Sequence, residues 1–157
     1  MVEPAAEISI YVDADACPVK DEVVRVAERH GLRVFMVSNS WMRLPISACI
    51  SRIVVAEGPD AADDWIAERL GAWDVAVTAD ILLAARCLGA GARVIGPNGK
   101  PFDAQSIGMA VAMRDLMGHL RESGEVRGFN APFTRQDRSR FLQALEQAVQ
   151  EIVRGRR

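Results

Sequence analysis

Disulfide and zinc chemistry have little to work with in this chain, which carries three cysteines and two histidines among 157 residues and no Cys-x-x-Cys. Cys17, Cys49 and Cys87 are odd in number and far apart, which argues against a disulfide framework, and His30 and His119 stand alone, which leaves zinc without a ligand set. A glycine-rich phosphate loop is also missing, so nucleotide-dependent motors and kinases drop out. The most apolar stretch, residues 81–88, is interrupted by Asp80 and Arg86 far short of a bilayer span. Residues 1–7 have neither the basic nor the apolar region of a signal peptide. A cytoplasmic protein with no membrane partner is the expectation.

What is present describes an ordinary globular chain: 50% hydrophobic, 25% charged, mean hydropathy +0.06. At this length one domain buries about 70% of the surface its unfolded form exposes, so no staple is needed to hold it folded. We expect a single domain over 1–157, frayed at 1–6 and 154–157, with no internal repeat. The net charge of -2 is unevenly spread: residues 1–120 hold 11 Lys+Arg against 16 Asp+Glu, and residues 121–157 hold 8 against 5. The acidic part suits cation binding. The basic part reads as a tail, either a solvated arginine-bearing helix or one that meets a polyanion through Arg127, Arg135, Arg138 and Arg140.

Along the chain, apolar and β-branched residues from Ile8 to Val12 predict a buried strand that stops at Asp13 and Asp15, just before a proline, Pro18, suited to a helix's first position. A helix over 19–30 ends at Gly31, and a second strand over 32–37 runs into Ser38-Asn39-Ser40. Strand, helix and strand make a right-handed unit, so Ser38 and Asn39 emerge at the same sheet edge as Asp13. Residues 41–50 lack a period and read as a loop with at most one helical turn, in which Trp41-Met42-Arg43 reads more readily as cover for the sheet than as a surface on which a base stacks. A strand over 52–56 leads to Asp60, the expected cap of a helix over 61–70. Asp60, Asp63 and Asp64 share a face of its first turn, more acid than capping requires. A strand over 73–77 ends in Thr78-Ala79-Asp80, followed by a nearly all-apolar and hence buried helix over 81–88 and a strand over 92–95. Pro97-Asn98-Gly99-Lys100 predicts a small hairpin. A helix over 104–121 presents Met109, Met113, Leu116, Met117 and Leu120 on one side, and Thr134 to Asp137 has capping-box spacing for a final helix to about 153. That amphipathic last helix is a candidate seam for a homo-oligomer.

The fold class that results is α/β, a three-layer domain with a central, mostly parallel sheet of about five strands and helices on both faces. If the first strand is central and the second and fourth flank it, Asp13 and Asp15, the acids at the start of the second helix, Asp60, Asp63 and Asp64, and Asp80 face one another across a switch point, where ligands of open α/β sheets bind. Carboxylates gathered in one cleft repel unless a cation sits among them, and Mg²⁺ or Mn²⁺, which prefer oxygen ligands, are the natural partners.

The motifs Val12-Asp13-Ala14-Asp15-Ala16-Cys17-Pro18, the Asp-x-Ala-Asp of residues 60–63, Thr78-Ala79-Asp80 and Arg114-Asp115 resemble those of the YaiI/YqxD family of uncharacterised bacterial proteins, over nearly the whole chain. That family resembles PIN-like and NYN-like ribonucleases in its strand-acid, helix-acid, strand-acid order. The resemblance implies a PIN-like fold and a metal-dependent nuclease, a hydrolase of RNA. Asp13, Asp60 or Asp63, and Asp80 would then be the metal-binding acids, with Asp15 and Thr78 close by. In that scheme Asp13 and Asp80 hold the cation, Asp63 binds it or orients the attacking water, and Lys20 or Arg114 meets a phosphate, with Ser38 and Asn39 at the substrate edge. Taken singly, Asp13, Asp60 and Asp80 also read as helix caps. Two other readings stand beside the nuclease. Asp13-Ala14-Asp15 resembles the nucleophile and acid/base pair of haloacid-dehalogenase-type phosphatases, with Ser38 or Ser40 and Asp63-Asp64 imitating later motifs. Alternatively the cleft is non-catalytic and the arginines bind RNA.

Overall fold

The computed structural model describes residues 8–122 and 133–155, apart from positions 57 and 59. The elements alternate as the residue pattern predicts: β1 (Ser9–Asp13), α1 (Lys20–His30), β2 (Arg33–Ser38), β3 (Ile50–Val54), α2 (Ala61–Arg69), β4 (Val75–Val77), α3 (Ile81–Gly89), β5 (Arg93–Ile95), β6 (Pro101–Phe102), α4 (Ile107–Glu122) and α5 (Arg135–Gly155). They build one sheet of order β3-β2-β1-β4-β5-β6, one strand more than expected. The first five strands are parallel, and β6 is the antiparallel second arm of the small hairpin. Because β1 pairs with β2 on one side and β4 on the other, strand order reverses at β1. The carboxyl end of β1 is therefore the switch point at which a crevice opens.

Alternation along β1 sorts the two faces. Ile10 and Val12 join a core with Val23 and Val26 of α1 and Phe141, Leu145 and Val149 of α5, while Tyr11 joins Ile66 of α2 and Leu83 of α3 on the other face. The chain is thus a three-layer α/β domain. Asp74 locks the start of the central pair, taking the Ser9 N–H on Oδ1 at 2.9 Å and the Gly71 N–H on Oδ2 at 2.7 Å. No helix among the described residues is long and apolar enough to cross a membrane.

Several local expectations are corrected. Pro18 does not open α1, because a single 3-10 turn, Ala14–Ala16, and a turn at Pro18-Val19 intervene before Lys20. No helical turn forms within the loop before β3, and Trp41 is 69% exposed instead of covering the sheet. In α3 Leu82 is exposed, because only the Leu83, Ala84 and Cys87 side reaches the sheet. On α4, Met109, Met113 and Leu116 are exposed, since that helix turns Ile107 toward the body. Within the basic C-terminal part, Arg135–Gly155 is no tail. The capping box does form, with Thr134 N–H to Asp137 Oδ2 at 3.0 Å and Asp137 N–H to Thr134 Oγ1 at 3.1 Å, but α5 then buries its whole apolar face in the core and continues through Gly155. That face is therefore unavailable as an oligomer seam.

The hairpin turn between β5 and β6 leans on α5. Gly99 has φ +87°, and a Cβ there would lie 2.6 Å from the Arg140 carbonyl carbon. Gly99→Ala combines an unfavourable backbone with an immovable neighbour, so a loss of about 1–3 kcal/mol is expected from the urea midpoint at unchanged m-value.

Candidate functional site

Three parallel strands end side by side at the switch point, and each delivers polar groups there. β1 ends in Asp13 with Asp15 two residues on, β2 in Ser38 and Asn39, and β4 in Thr78 and Asp80, while the first turn of α2 brings Asp63 in from above. Asp13, Asp15, Asn39, Asp63, Thr78 and Asp80 line one cleft of about 290 Å³, closed on its other sides by Cys17, Ala62, Val77, Ala79 and Pro97. β1 and β4 are apolar runs because they are covered on both faces. The first polar residue after each run is pushed to the edge.

The hydrogen bonds hold these groups in definite poses. Thr78 Oγ1 donates to Asp13 Oδ2 at 3.0 Å and accepts from the Asp80 N–H at 3.0 Å, tying the ends of β1 and β4 together. Asp80 caps α3, its Oδ1 accepting from the N–H groups of Leu82 (2.9 Å) and Leu83 (3.3 Å). The Asn39 N–H donates to Asp15 Oδ2 at 2.9 Å and its Nδ2 to the Gly58 carbonyl at 3.2 Å, while Asn39 Oδ1 is buried without a partner among the described residues. Of the three acids that read as caps, only Asp80 caps with its side chain. Asp13 is turned to Thr78, and Asp60, at the N-cap position of α2, makes no side-chain cap bond. Asp63 and Asp64 part company: Asp63 faces the cleft, and Asp64 pairs with Arg86 of α3 at 2.7 Å.

Electrostatics report how close these groups are to one another. Burial raises the Asp13 carboxyl above its ordinary range, against the Thr78 hydrogen bond, and Asp80 and Asp15 raise it further. Asp63 is pushed up to about 6 by burial and then by the charges of Asp80, Asp13 and Asp60, with Arg86 opposing. Burial likewise raises the Cys17 thiol, which keeps it a neutral wall of the cleft and not a nucleophile. Because the folded chain holds a proton on Asp63 that the unfolded chain releases, folding stability in chelator should fall as pH rises from about 4 through about 6. Asp63→Asn is expected to flatten that slope in a series of urea midpoints against pH.

The remaining expected site residues distribute around this centre. Ser38 is buried and donates to the Ser40 carbonyl at 2.8 Å instead of lining the cleft. Asp60 and Arg114 line an adjoining hollow of about 440 Å³ that shares Asp63 and Asp80. Lys20 donates to the Cys17 carbonyl at 2.7 Å and lines a groove on the other flank. Arg138 is bound to the Pro18 carbonyl and Glu22, with its guanidinium 5.0 Å from the Phe133 ring centroid; Arg135 is exposed; Arg127 lies outside the described residues. Sequence reasoning passed over Arg86, whose only signal was a charge breaking an apolar helix, and Pro97, which had none.

The donors facing the cleft are all hard oxygens apart from the Cys17 thiol. Among the described residues no three His, Cys, Asp or Glu side chains close around a common point as a preformed metal cage. Mg²⁺ does not require one, since it keeps several waters and is held by one or two carboxylates plus substrate phosphate.

A family model described as "Uncharacterized BCR, YaiI/YqxD family" matches residues 11–151. A UPF0178 protein of Rhodopseudomonas palustris (strain HaA2) is 57% identical over 152 residues, covering 97% of this chain and 93% of its own. Relatives of the same name from Nitrobacter winogradskyi, 58% identical over 148 residues with 94% of each chain covered, and from Parvibaculum lavamentivorans, 59% identical over 145 residues with 92% of this chain and 95% of the relative covered, are similar throughout. No solved structure matches.

Proposed function

The chain belongs to the YaiI/YqxD family, and from the chemistry of its cleft we propose that it is a hydrolase of RNA phosphodiesters that works with Mg²⁺ or Mn²⁺. The observation that carries this reading is the convergence of Asp13, Asp63 and Asp80, from three separate elements, on one cleft at the switch point, where burial and then the neighbouring acids push Asp63 up to about 6. Capping accounts for one of the three. The other two are left facing each other with no cation of the chain lining that cleft.

In this reading Asp13 and Asp80 hold the cation, and each is prepared for it. Thr78 occupies one Asp13 oxygen and the α3 backbone occupies one Asp80 oxygen, so each carboxylate is fixed in orientation, and its second oxygen takes no hydrogen bond among the described residues. Asp15, tethered by the Asn39 N–H, and Asp60 on the rim add negative field without being needed as direct ligands. A divalent cation bound there would polarise the phosphoryl group and offset the charge that builds on it. Asp63, with its proton affinity near neutrality, orients the attacking water and takes its proton. Lys20 supplies positive charge for a neighbouring phosphate on one flank, whereas Arg114 on the other flank stands among the acids of the adjoining hollow. The likeness to PIN-like ribonucleases supports the same roles through the order of the acids. A phosphatase of the Asp-x-Asp type has less support, because Asp64 is turned out to Arg86 and the acidic pair that scheme needs does not face the cleft.

The test is calorimetric titration of Mg²⁺ and Mn²⁺ into the chain, followed by incubation with single-stranded and structured RNA with and without EDTA. Saturable cation binding with EDTA-sensitive cleavage is the expected result. Intact RNA at saturating cation would sink the hydrolase reading.

A further inference from the structure

The next inference rests on the hydrolase reading for the cleft itself and concerns the route by which a polymer reaches it. Two hollows adjoin the acidic cleft, and they differ in charge. The one on the α2 and α3 side carries Asp60, Asp63, Asp64 and Asp80 against Arg86 and Arg114, and Arg86 is already paired with Asp64. The one on the α1 side, about 390 Å³, meets the cleft at Cys17 and carries Lys20 and Arg43 against a single acid, Asp21. Arg43 is exposed and has no ion-pair partner among the described residues. Arg138 adds a third cation at the edge of this groove, bound to the Pro18 carbonyl at 2.6 Å and to Glu22. A polyanion is repelled by the first hollow and admitted by the second.

An exposed aromatic residue, Trp41, stands two residues before Arg43 of the α1 groove. Trp41 lies two residues beyond Asn39, a wall of the cleft, hence within about 7 Å of it along the chain. Its indole is 69% exposed, and the Arg52 guanidinium sits 4.7 Å from the ring centroid, itself anchored by a hydrogen bond to the Met42 carbonyl. One ring face is thus covered by a cation and the rest is open to solvent. A flat aromatic surface next to unpaired cations is how proteins hold unpaired nucleobases together with their phosphates. We propose that a single-stranded polynucleotide leaves the acidic cleft over Cys17, runs its phosphates past Lys20 and Arg43, and stacks a base on Trp41. A double helix presents no free base face to Trp41, so the path selects single strands.

The experiment measures fluorescence anisotropy of a labelled single-stranded oligonucleotide, once as oligo(U) and once as oligo(dT), against the full chain carrying Asp13→Asn so that turnover does not blur binding. Trp41→Ala in that background is expected to weaken binding about tenfold or more, the loss of one stacked base. Arg43→Ala should weaken it and lower the salt slope by about 0.7, one phosphate contact of a single strand. Trp73→Ala, an exposed tryptophan beside the opposite end of β4, should bind as the parent does. The stronger of the two oligonucleotides names the polymer. Parent-like binding by both loop variants, no binding of either oligonucleotide by the parent, or losses confined to Arg86→Ala and Arg114→Ala would each overturn the path. Absence of RNA cleavage by the wild type with this binding pattern intact strikes the hydrolase reading alone, and wild-type cleavage with unchanged KM in Trp41→Ala and Arg43→Ala strikes the path alone.

Discussion

Asp13→Asn is expected to reduce cation-dependent RNA cleavage by about two to three orders of magnitude and to leave the fold as stable as before, or more so. The rate loss follows from removing one fixed charge at the reacting centre, for which about 10²–10³ is typical. The stability gain follows from the same charge. Burial and the neighbouring Asp80 and Asp15 already make the Asp13 carboxylate costly in the folded state, whereas an asparagine keeps an oxygen for Thr78 and drops the charge. Activity and stability thus move in opposite directions, as they do when a site is strained for function. Three measurements on one variant decide it: Mn²⁺ calorimetry, cleavage of RNA on a gel, and the urea midpoint. Cleavage at the wild-type rate would falsify the assignment of Asp13. A variant that loses activity only because it unfolds would show a lowered midpoint, the reverse of the expectation.

Phe141→Ala is the substitution expected to cost most in stability, about 3–5 kcal/mol out of a total of about 5–15 kcal/mol for a domain. Phe141 is fully buried where the first turns of α5 meet α1 and the sheet, beside Leu145, Val23 and Val26. Removing the ring opens a cavity whose walls belong to α1, α5 and the sheet and cannot all collapse into it. Around the same seam Glu146 of α5 binds both Arg29 and His30 at the end of α1, which fixes the two helices in register and limits relaxation. At a chain of this size the melting temperature should drop by roughly 10 °C. A loss under about 1 kcal/mol would mean that α5 is the appendage its charge suggests and not a wall of the core.

That contrast shows where sequence reading succeeds and where it stops. The alternation of apolar runs with helical periods, the stop at Gly31 and the Asn-Gly hairpin depend on neighbours a few residues away, and all are found as the pattern implies. The ends of strands are equally local: a chain buried on both faces has to turn polar where it leaves the sheet, so Asp13, Asn39, Thr78 and Asp80 could be placed at one edge before any packing was known. Charge totals misled, because Arg135, Arg138, Arg140 and Arg154 sit on the solvent side of α5, whose apolar side is buried, and a count of charge is blind to faces. The loop at Trp41 misled in the opposite way. Buried aromatics are common enough that an exposed one is not anticipated, and only the return of the chain to Ile50, paired with Val34 at the far end of β2, shows that the indole is left outside.

The residue order alone determined that this is a parallel α/β domain with carboxylates delivered to the carboxyl edge of its central strand, because periodicity and the polarity of strand ends are properties of short stretches. Tertiary structure decided which carboxylates work together. Asp64 stands next to Asp63 in the chain, yet it is drawn away to Arg86, while Asp13 and Asp80, 67 positions apart, are brought within one cleft by the pairing of β1 with β4. Charges interact through space and not along the chain, so the partners that set the character of Asp63 were legible only after the sheet had been assembled.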